Sequence, residues 1–349
     1  MAPRSKILIR SLLSFLLAGI FLYIAFRGTD FSELIGSLSG LRVGWVILLI
    51  PVGLLSHYVR ALRWKYILGH VKKTWSVRNL FAAVMIGYMV NNALPRVGEI
   101  VRPYVAGRLE GISKSTALGS VVVERIIDTM ALVALVCLIL FLSPGTLSAF
   151  VEDAENLRPL FLVGSVLSLL LITLLFLKSE SLVRSGKFLL VLVPAAKRAR
   201  VQGIFDSFVS GFRVSAMREE FWRICSLSAL MWALYALGLY LPFLAYPGFD
   251  AAGLDGRAAV VLLAVSSAAF VLPAPGAFGT YHSFMKFALV RLYGIDEVTA
   301  LSYTIVTHEL NVLTTTVVGA WFFLKDHLRV SDVAAEAEKQ GNSVGGESA

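Results

Sequence analysis

Charge is what this chain has least of. Asp, Glu, Lys and Arg make up 16% of its 349 residues, 57% are hydrophobic, and the mean hydropathy is +0.76. A soluble globular domain carries nearer a quarter charged residues, so that class is excluded and a polytopic membrane protein is expected. Cysteine is scarce too. Cys137 lies inside one apolar run and Cys225 at the start of another, which excludes a disulfide framework and a thiolate zinc site. No phosphate-binding glycine loop, H-E-x-x-H or G-x-S-x-G occurs, so no catalytic residue, cofactor or metal is assigned. The first stretch expected outside, RGTDFSELIGSLSGLR, offers only Asp30 and Glu33, whereas a membrane glycosyltransferase commonly needs acids there to hold a metal.

Long apolar runs are what the chain does have. They fall near 7–26, 44–62, 115–142, 159–177, 223–246 and 297–324, each able to fill a bilayer core that needs about 20 helical residues. The first follows a basic start, as in a signal peptide, but no A-x-A-like site follows it, so an uncleaved anchor is expected. Two further runs, 79–94 and 258–272, end in Leu-Pro. At about 1.5 Å per residue they reach only ~24 Å of a ~30 Å core. Each precedes another short helical stretch, 97–109 and 277–292. The expected fold is therefore all-α: about six to eight transmembrane helices with two re-entrant helix–break–helix hairpins.

Loop charges orient this fold. Segment 63–78 holds Arg63, Lys65, Lys72, Lys73 and Arg78 with no acid, and 178–223 holds nine Lys/Arg against four acids. Loops 143–158 and 247–257 carry mostly acids. With the N-terminus inside, every basic loop lands in the cytoplasm, so the net charge of +9 marks topology and not a nucleic-acid partner. The expected organisation is one membrane domain over 1–330. It holds a first repeat at about 44–142, a cytoplasmic interfacial segment at 178–222 with an apolar patch at 188–194, and a second repeat at about 223–324. Residues 331–349 read as a disordered cytoplasmic tail.

An internal repeat underlies that division. GISKSTAL at 111–118 and GIDEVTAL at 294–301 share G-I-x-x-x-T-A-L. Each opens a long span after the same order of long span, short span, Leu-Pro break and short helix. The two hairpins would dip from opposite sides as an inverted repeat, whose binding site is expected near the midplane at discontinuous helices. The first break, NNALPRVGEIVRP (91–103), places Asn91, Asn92, Arg96, Glu99 and Arg102 there. A helix restarting near Val97 would offer free N–H groups to an anion. At the second break, PAPGAFG (273–279), Pro273 and Pro275 interrupt the helix while Gly276 and Gly279 admit a ligand.

The span 115–142 adds Glu124, Arg125 and Asp128, with Glu124 and Asp128 on one face. Six lipid-facing charges would cost roughly 15–20 kcal/mol, so these groups must face one another or water. They either pin the first hairpin to that span or form a polar cavity for a charged headgroup. The matching positions of the second repeat read THELN: His308 falls opposite Arg125 and Asn311 opposite Asp128, with Glu309 between them. With His282 they are candidates for the cavity wall, and such histidines would make activity vary between about pH 5 and 8.

The run N-x-x-P-x-x-G-E-x-x-R-P (92–103), followed by G-I-S-x-S-x-A-L-G-S-V-V-V-E-R-I-I-D (111–128), resembles the flippase-like transmembrane domain of lysylphosphatidylglycerol synthases. P-x-P-G-x-x-G at 273–279 fits the same pattern, and the likeness covers nearly the whole chain. The family resemblance implies movement of a lipid across the bilayer. It does not imply the lipid's synthesis, because no stretch of residues 1–349 reads as a soluble aminoacyltransferase domain. His282 and His308 stand where the family tends to place Glu and Arg. A translocator of an anionic phospholipid or lipid-linked phosphate is expected, with a lipid-modifying enzyme as a possible partner. A glycosyltransferase-type membrane enzyme and a non-catalytic scaffold are the alternatives.

Overall fold

The computed structural model of the chain describes residues 3–142, 145, 154–187, 193–213, 217–247 and 249–328. Every regular element among them is helical. The expected tail at 331–349 and most of the patch at 188–194 lie outside the described residues.

The first half comprises α1 (Pro3–Phe26), α2 (Phe31–Ser39), α3 (Val43–Ile47), α4 (Leu49–Ile67), α5 (Val77–Ala93), α6 (Gly98–Glu110) and α7 (Lys114–Leu142). Then come α8 (Ala154–Ser185), α9 (Ala195–Gly211), α10 (Phe221–Ala245), α11 (Gly256–Ala269), α12 (Thr280–Tyr293) and α13 (Glu297–Lys325). Short polar side chains start several helices by accepting orphan N–H groups. Asp30 caps α2, Ser76 caps α5, Asp255 caps α11 and Asp296 caps α13. The shared glycine of the repeat has a backbone cause: Gly111 ends α6 at φ 68° and Gly294 ends α12 at φ 65°. Both occupy the left-handed terminator position that a Cβ would strain.

The chain is an all-α polytopic membrane protein. Val43–Ile67, Ala154–Lys178 and Phe221–Ala245 are each long and apolar enough to cross a bilayer, and α1 with α2, bent by 83°, makes a fourth candidate. The six long runs foreseen from sequence are all helical. In α13, His308, Glu309, Asn311 and a run of threonines dilute the hydropathy along 29 residues.

Two large apolar cores stand out among the described residues. One gathers buried residues of α4–α7, including Trp64, Met85 and Val105; the other gathers α10–α13, including Leu262, Met285 and Tyr303. Helix pairings match between the halves. α4 packs on α5 as α10 does on α11, α5 on α6 as α11 on α12, and α6 on α7 as α12 on α13. The halves join where α4 packs on α10 and α5 on α13. Lys286 ties α12 to its neighbours, donating to the Ala25 carbonyl at 3.0 Å and pairing with Glu297 at 2.9 Å.

Segment 178–222 is helical over most of its described residues. α8 runs on to Ser185, and α9 is fastened to α7. Thr116 Oγ1 donates to the Ser207 carbonyl at 2.9 Å, and His70 Nε2 donates to the Ser210 carbonyl at 2.6 Å. At Gly211 the backbones nearly touch, since a Cβ there would lie 1.8 Å from the Thr116 carbonyl oxygen. Gly211→Ala should therefore lower stability by about 1–3 kcal/mol. Limited proteolysis of the 186–213 region checks this, and an unchanged cleavage rate would show that α9 is not held there.

Candidate functional site

The site is built where the two helix breaks meet. α5 ends at Ala93, and Leu94–Val97 turn the chain into α6, which folds back on α5. In the second half, Pro275–Ala277 form a single 3₁₀ turn before α12. The tips touch directly. Arg96 Nη2 donates to the Val271 carbonyl at 2.7 Å, and Gly276 sits so close to Asn92 that a Cβ would be 3.2 Å from the Asn92 Cα. Arg96 itself is left-handed, at φ 65°, a conformation costing a non-glycine residue about 1–2 kcal/mol.

Beneath the tips lies a cavity of about 780 Å³. Of the residues singled out in the sequence, Asn91, Asn92, Arg96, Glu99, Arg125, Pro273, Gly276, His308 and Asn311 line it. Arg102, Glu124, Asp128, Pro275, Gly279, His282 and Glu309 do not. The two asparagines also hold the break in shape. Asn91 Oδ1 accepts the Gly98 N–H at 2.7 Å, while Asn92 Nδ2 donates to Thr315 and Thr316 of α13 at 3.1 and 3.0 Å.

That Gly98 bond corrects one expectation. The N-terminus of α6 does not offer a set of free N–H groups, because the tight turn consumes them. Besides Gly98, the Glu99 N–H reaches the Arg96 carbonyl and the Ile100 N–H reaches the Val97 carbonyl. The cationic groups that line the cavity are the guanidinium groups of Arg60, Arg96 and Arg125.

Behind one wall those groups form a dense ion cluster. Glu124 is fully buried and takes a bidentate bond from Arg102, with Nη1 at 3.0 Å and Nη2 at 2.7 Å. Arg60 Nη1 reaches the same carboxylate and lies 3.2 Å from Asp128, while Arg63 Nη2 is 2.7 Å from Asp128 and 3.4 Å from Glu124. Arg125 joins at 3.6 Å from Glu124 and 3.4 Å from Glu99. The expected meeting of Arg102, Glu124, Arg125 and Asp128 is therefore present. It is a scaffold behind the cavity, and only Arg60, Arg125 and Glu99 of this cluster reach the cavity surface. Packing fixes the guanidinium planes: Arg102 lies 4.0 Å over the Trp64 ring, and Trp64 Nε1 donates to Ser120 at 2.9 Å.

Sequence reading missed Arg60, Arg63, His57 and Tyr235. Arg63 had been counted with the basic loop, and Arg60 is lone in an apolar run. Yet both sit in the last turns of α4, three residues apart, facing α7 and α10. Arg60 Nη2 donates to Tyr235 at 3.0 Å and Arg63 Nη1 to Ser228 at 3.0 Å. An arginine pair at i,i+3 in a bilayer-spanning helix is the signal that would have found them.

Behind His308 on the opposite wall, Glu309 Oε1 lies 3.0 Å from His308 Nδ1 and 3.3 Å from His282 Nε2. His308 Nε2 donates to the Gly276 carbonyl at 2.8 Å, tying α13 to the second break.

Comparison with known proteins places this architecture. A UPF0104 membrane protein of Methanothermobacter thermautotrophicus is 25% identical over 293 residues, covering 79% of this chain and 81% of the relative. A second UPF0104 membrane protein, from Methanocaldococcus jannaschii, is 33% identical over 128 residues, and there the match spans only 37% of the relative's length. No solved structure matches. The family model described as the lysylphosphatidylglycerol synthase TM region matches residues 10–319, both helix breaks and the whole ion cluster included, and the chain belongs to that family.

Proposed function

We propose that this protein moves the headgroup of an anionic phospholipid or lipid-linked phosphate between leaflets of the cytoplasmic membrane. The observation that carries this reading is the lining of the central cavity. Arg60, Arg96 and Arg125 face it against one carboxylate, Glu99, at the junction of two broken helices. Guanidinium groups match phosphate in charge and in fork geometry, and about 780 Å³ is within the usual range for a small-ligand site. Such a passage needs to shelter only the polar headgroup, since acyl chains can stay in the bilayer. A lipid-modifying enzyme would supply the substrate as partner.

The matched helix pairings support an inverted repeat, with repeat one at about 44–142, repeat two at about 223–324, and the cavity between them. Basic loops support cytoplasmic placement of the N-terminus, 63–78 and 178–223. The glycosyltransferase alternative is weakened at Asp30, whose carboxylate is engaged by the Ser32 and Glu33 N–H groups as a helix cap.

Transport is tested with the purified full chain in liposomes, using fluorescent anionic and zwitterionic lipids and an impermeant quencher. Arg96→Gln should slow the anionic lipid about 10–100-fold, the worth of a lost charged hydrogen bond of about 1.5–3 kcal/mol. Equal, variant-insensitive movement of both lipids would overturn the reading in favour of the scaffold. Orientation is tested after replacing both native cysteines by serine. Lys73→Cys should then react only from the cytoplasmic side and Glu155→Cys only from outside; labelling of both from one side would break the inverted topology.

A further inference from the structure

We propose that His282, His308 and Glu309 form a binding site for a divalent transition-metal ion, zinc being the ion these donors fit best. The inference stands on this cluster alone and does not depend on lipid transport.

The Gly276 carbonyl can only accept, so His308 Nε2, 2.8 Å away, carries a proton. In a neutral ring Nδ1 is then a bare lone pair, and it faces Glu309 Oε1 at 3.0 Å. Two lone pairs at that distance repel unless a cation lies between them. His282 Nε2 faces the same oxygen at 3.3 Å. Both rings are almost fully buried, at 1% and 2% exposure, while Glu309 is about two-fifths exposed and leaves a side from which an ion can enter.

Next, the charge of Glu309 has no conventional partner. It lies mid-way along α13, and its only ion-pair contacts among the described residues are the two imidazoles. A carboxylate at membrane depth is costly without a counter-charge. One divalent ion neutralises it and engages both imidazoles at once.

The geometry suits such an ion. With metal–ligand bonds of about 2.1 Å, tetrahedral donors stand roughly 3.4 Å apart. The three donor atoms here all lie within 4.8 Å of one another, and the two distances to Oε1 are close to the ideal. Two imidazoles and one carboxylate are a donor set that suits zinc and neighbouring transition metals. The Gly276 carbonyl supplies the outer support that fixes the tautomer of a ligating histidine. Phe278, 5.0 Å from the His308 ring, and Phe26, 6.2 Å from His282, form an apolar shell. Three protein donors leave a fourth position for water or an anionic oxygen.

The test uses the full chain in detergent, with any affinity tag removed and metal stripped by chelator. Cobalt(II) titration should produce visible absorption bands that saturate at one ion per chain and disappear on adding zinc. Elemental analysis should find one zinc retained after desalting. Glu309→Gln, nearly the same shape, and His282→Asn should each weaken uptake at least tenfold while elution profile and helicity stay unchanged. A wild-type chain that is folded yet takes up no stoichiometric cobalt or zinc overturns the proposal and assigns the cation between these atoms to protons. So does equal binding by wild type and both variants, which would place the metal elsewhere.

Discussion

Glu124→Ala is expected to leave little folded protein to purify. The wild-type carboxylate has no solvent exposure and stands within ion-pair reach of Arg60, Arg63, Arg102 and Arg125. Deleting it strands several guanidinium groups away from water, and breaking a buried pair by removing one partner costs about 3–5 kcal/mol. Here one acid serves four bases, so the cost should reach the top of that range, against a total stability of only about 5–15 kcal/mol. Fluorescence-detected size exclusion and thermal unfolding in detergent read the effect. Pairing Glu124→Leu with Arg102→Met removes both members of the bidentate pair and should recover part of the loss. A single mutant with wild-type yield and melting temperature would show that the cluster does not hold the fold.

Gly98→Ala should be nearly as damaging, for a steric reason. A Cβ at Gly98 would lie 2.0 Å from the Gly87 carbonyl oxygen and 2.7 Å from the Asn91 side chain. Backbone cannot yield as a flexible side chain can, so α5 and α6 must part. The Asn91 cap on Gly98 then fails, and Arg96 and Glu99 lose their placement on the cavity wall. Overpacking of this kind costs about 1–3 kcal/mol and occasionally more. Gly164→Ala on α8 is the control, since its Cβ would meet nothing within 4 Å. Equal melting temperatures for the two variants would refute the close approach of α5 and α6.

Apolar run length set against bilayer thickness made the helical architecture legible in the sequence. The short runs ending at Leu94 and Leu272 became α5 and α11, and the shared glycines became the ends of α6 and α12. Proline, glycine and hydropathy act locally, so a sequence displays them. The partnerships of charges do not act locally. Arg60 and Glu124 are paired only because α4 and α7 lie side by side. Likewise, no local pattern brings His282 to Glu309 across α12 and α13. The supposed free N–H groups of α6 failed for a related reason. Helix restarts were visible, but the Asn91 side chain that occupies one of them depends on how tightly the turn closes.

Arg96 carries a consequence for how the cavity responds. Its guanidinium is a stitch between the two halves, reaching from the first break to the Val271 carbonyl of the second. Under the proposed function, a phosphate drawn into the cavity would compete for the same fork of N–H donors. If the anion wins, the stitch comes undone, and the left-handed backbone at Arg96 loses a contact that helps to hold it. Occupancy and mechanical slack between the halves would then rise together, so that an empty passage stays laced and a filled one is freed to shift.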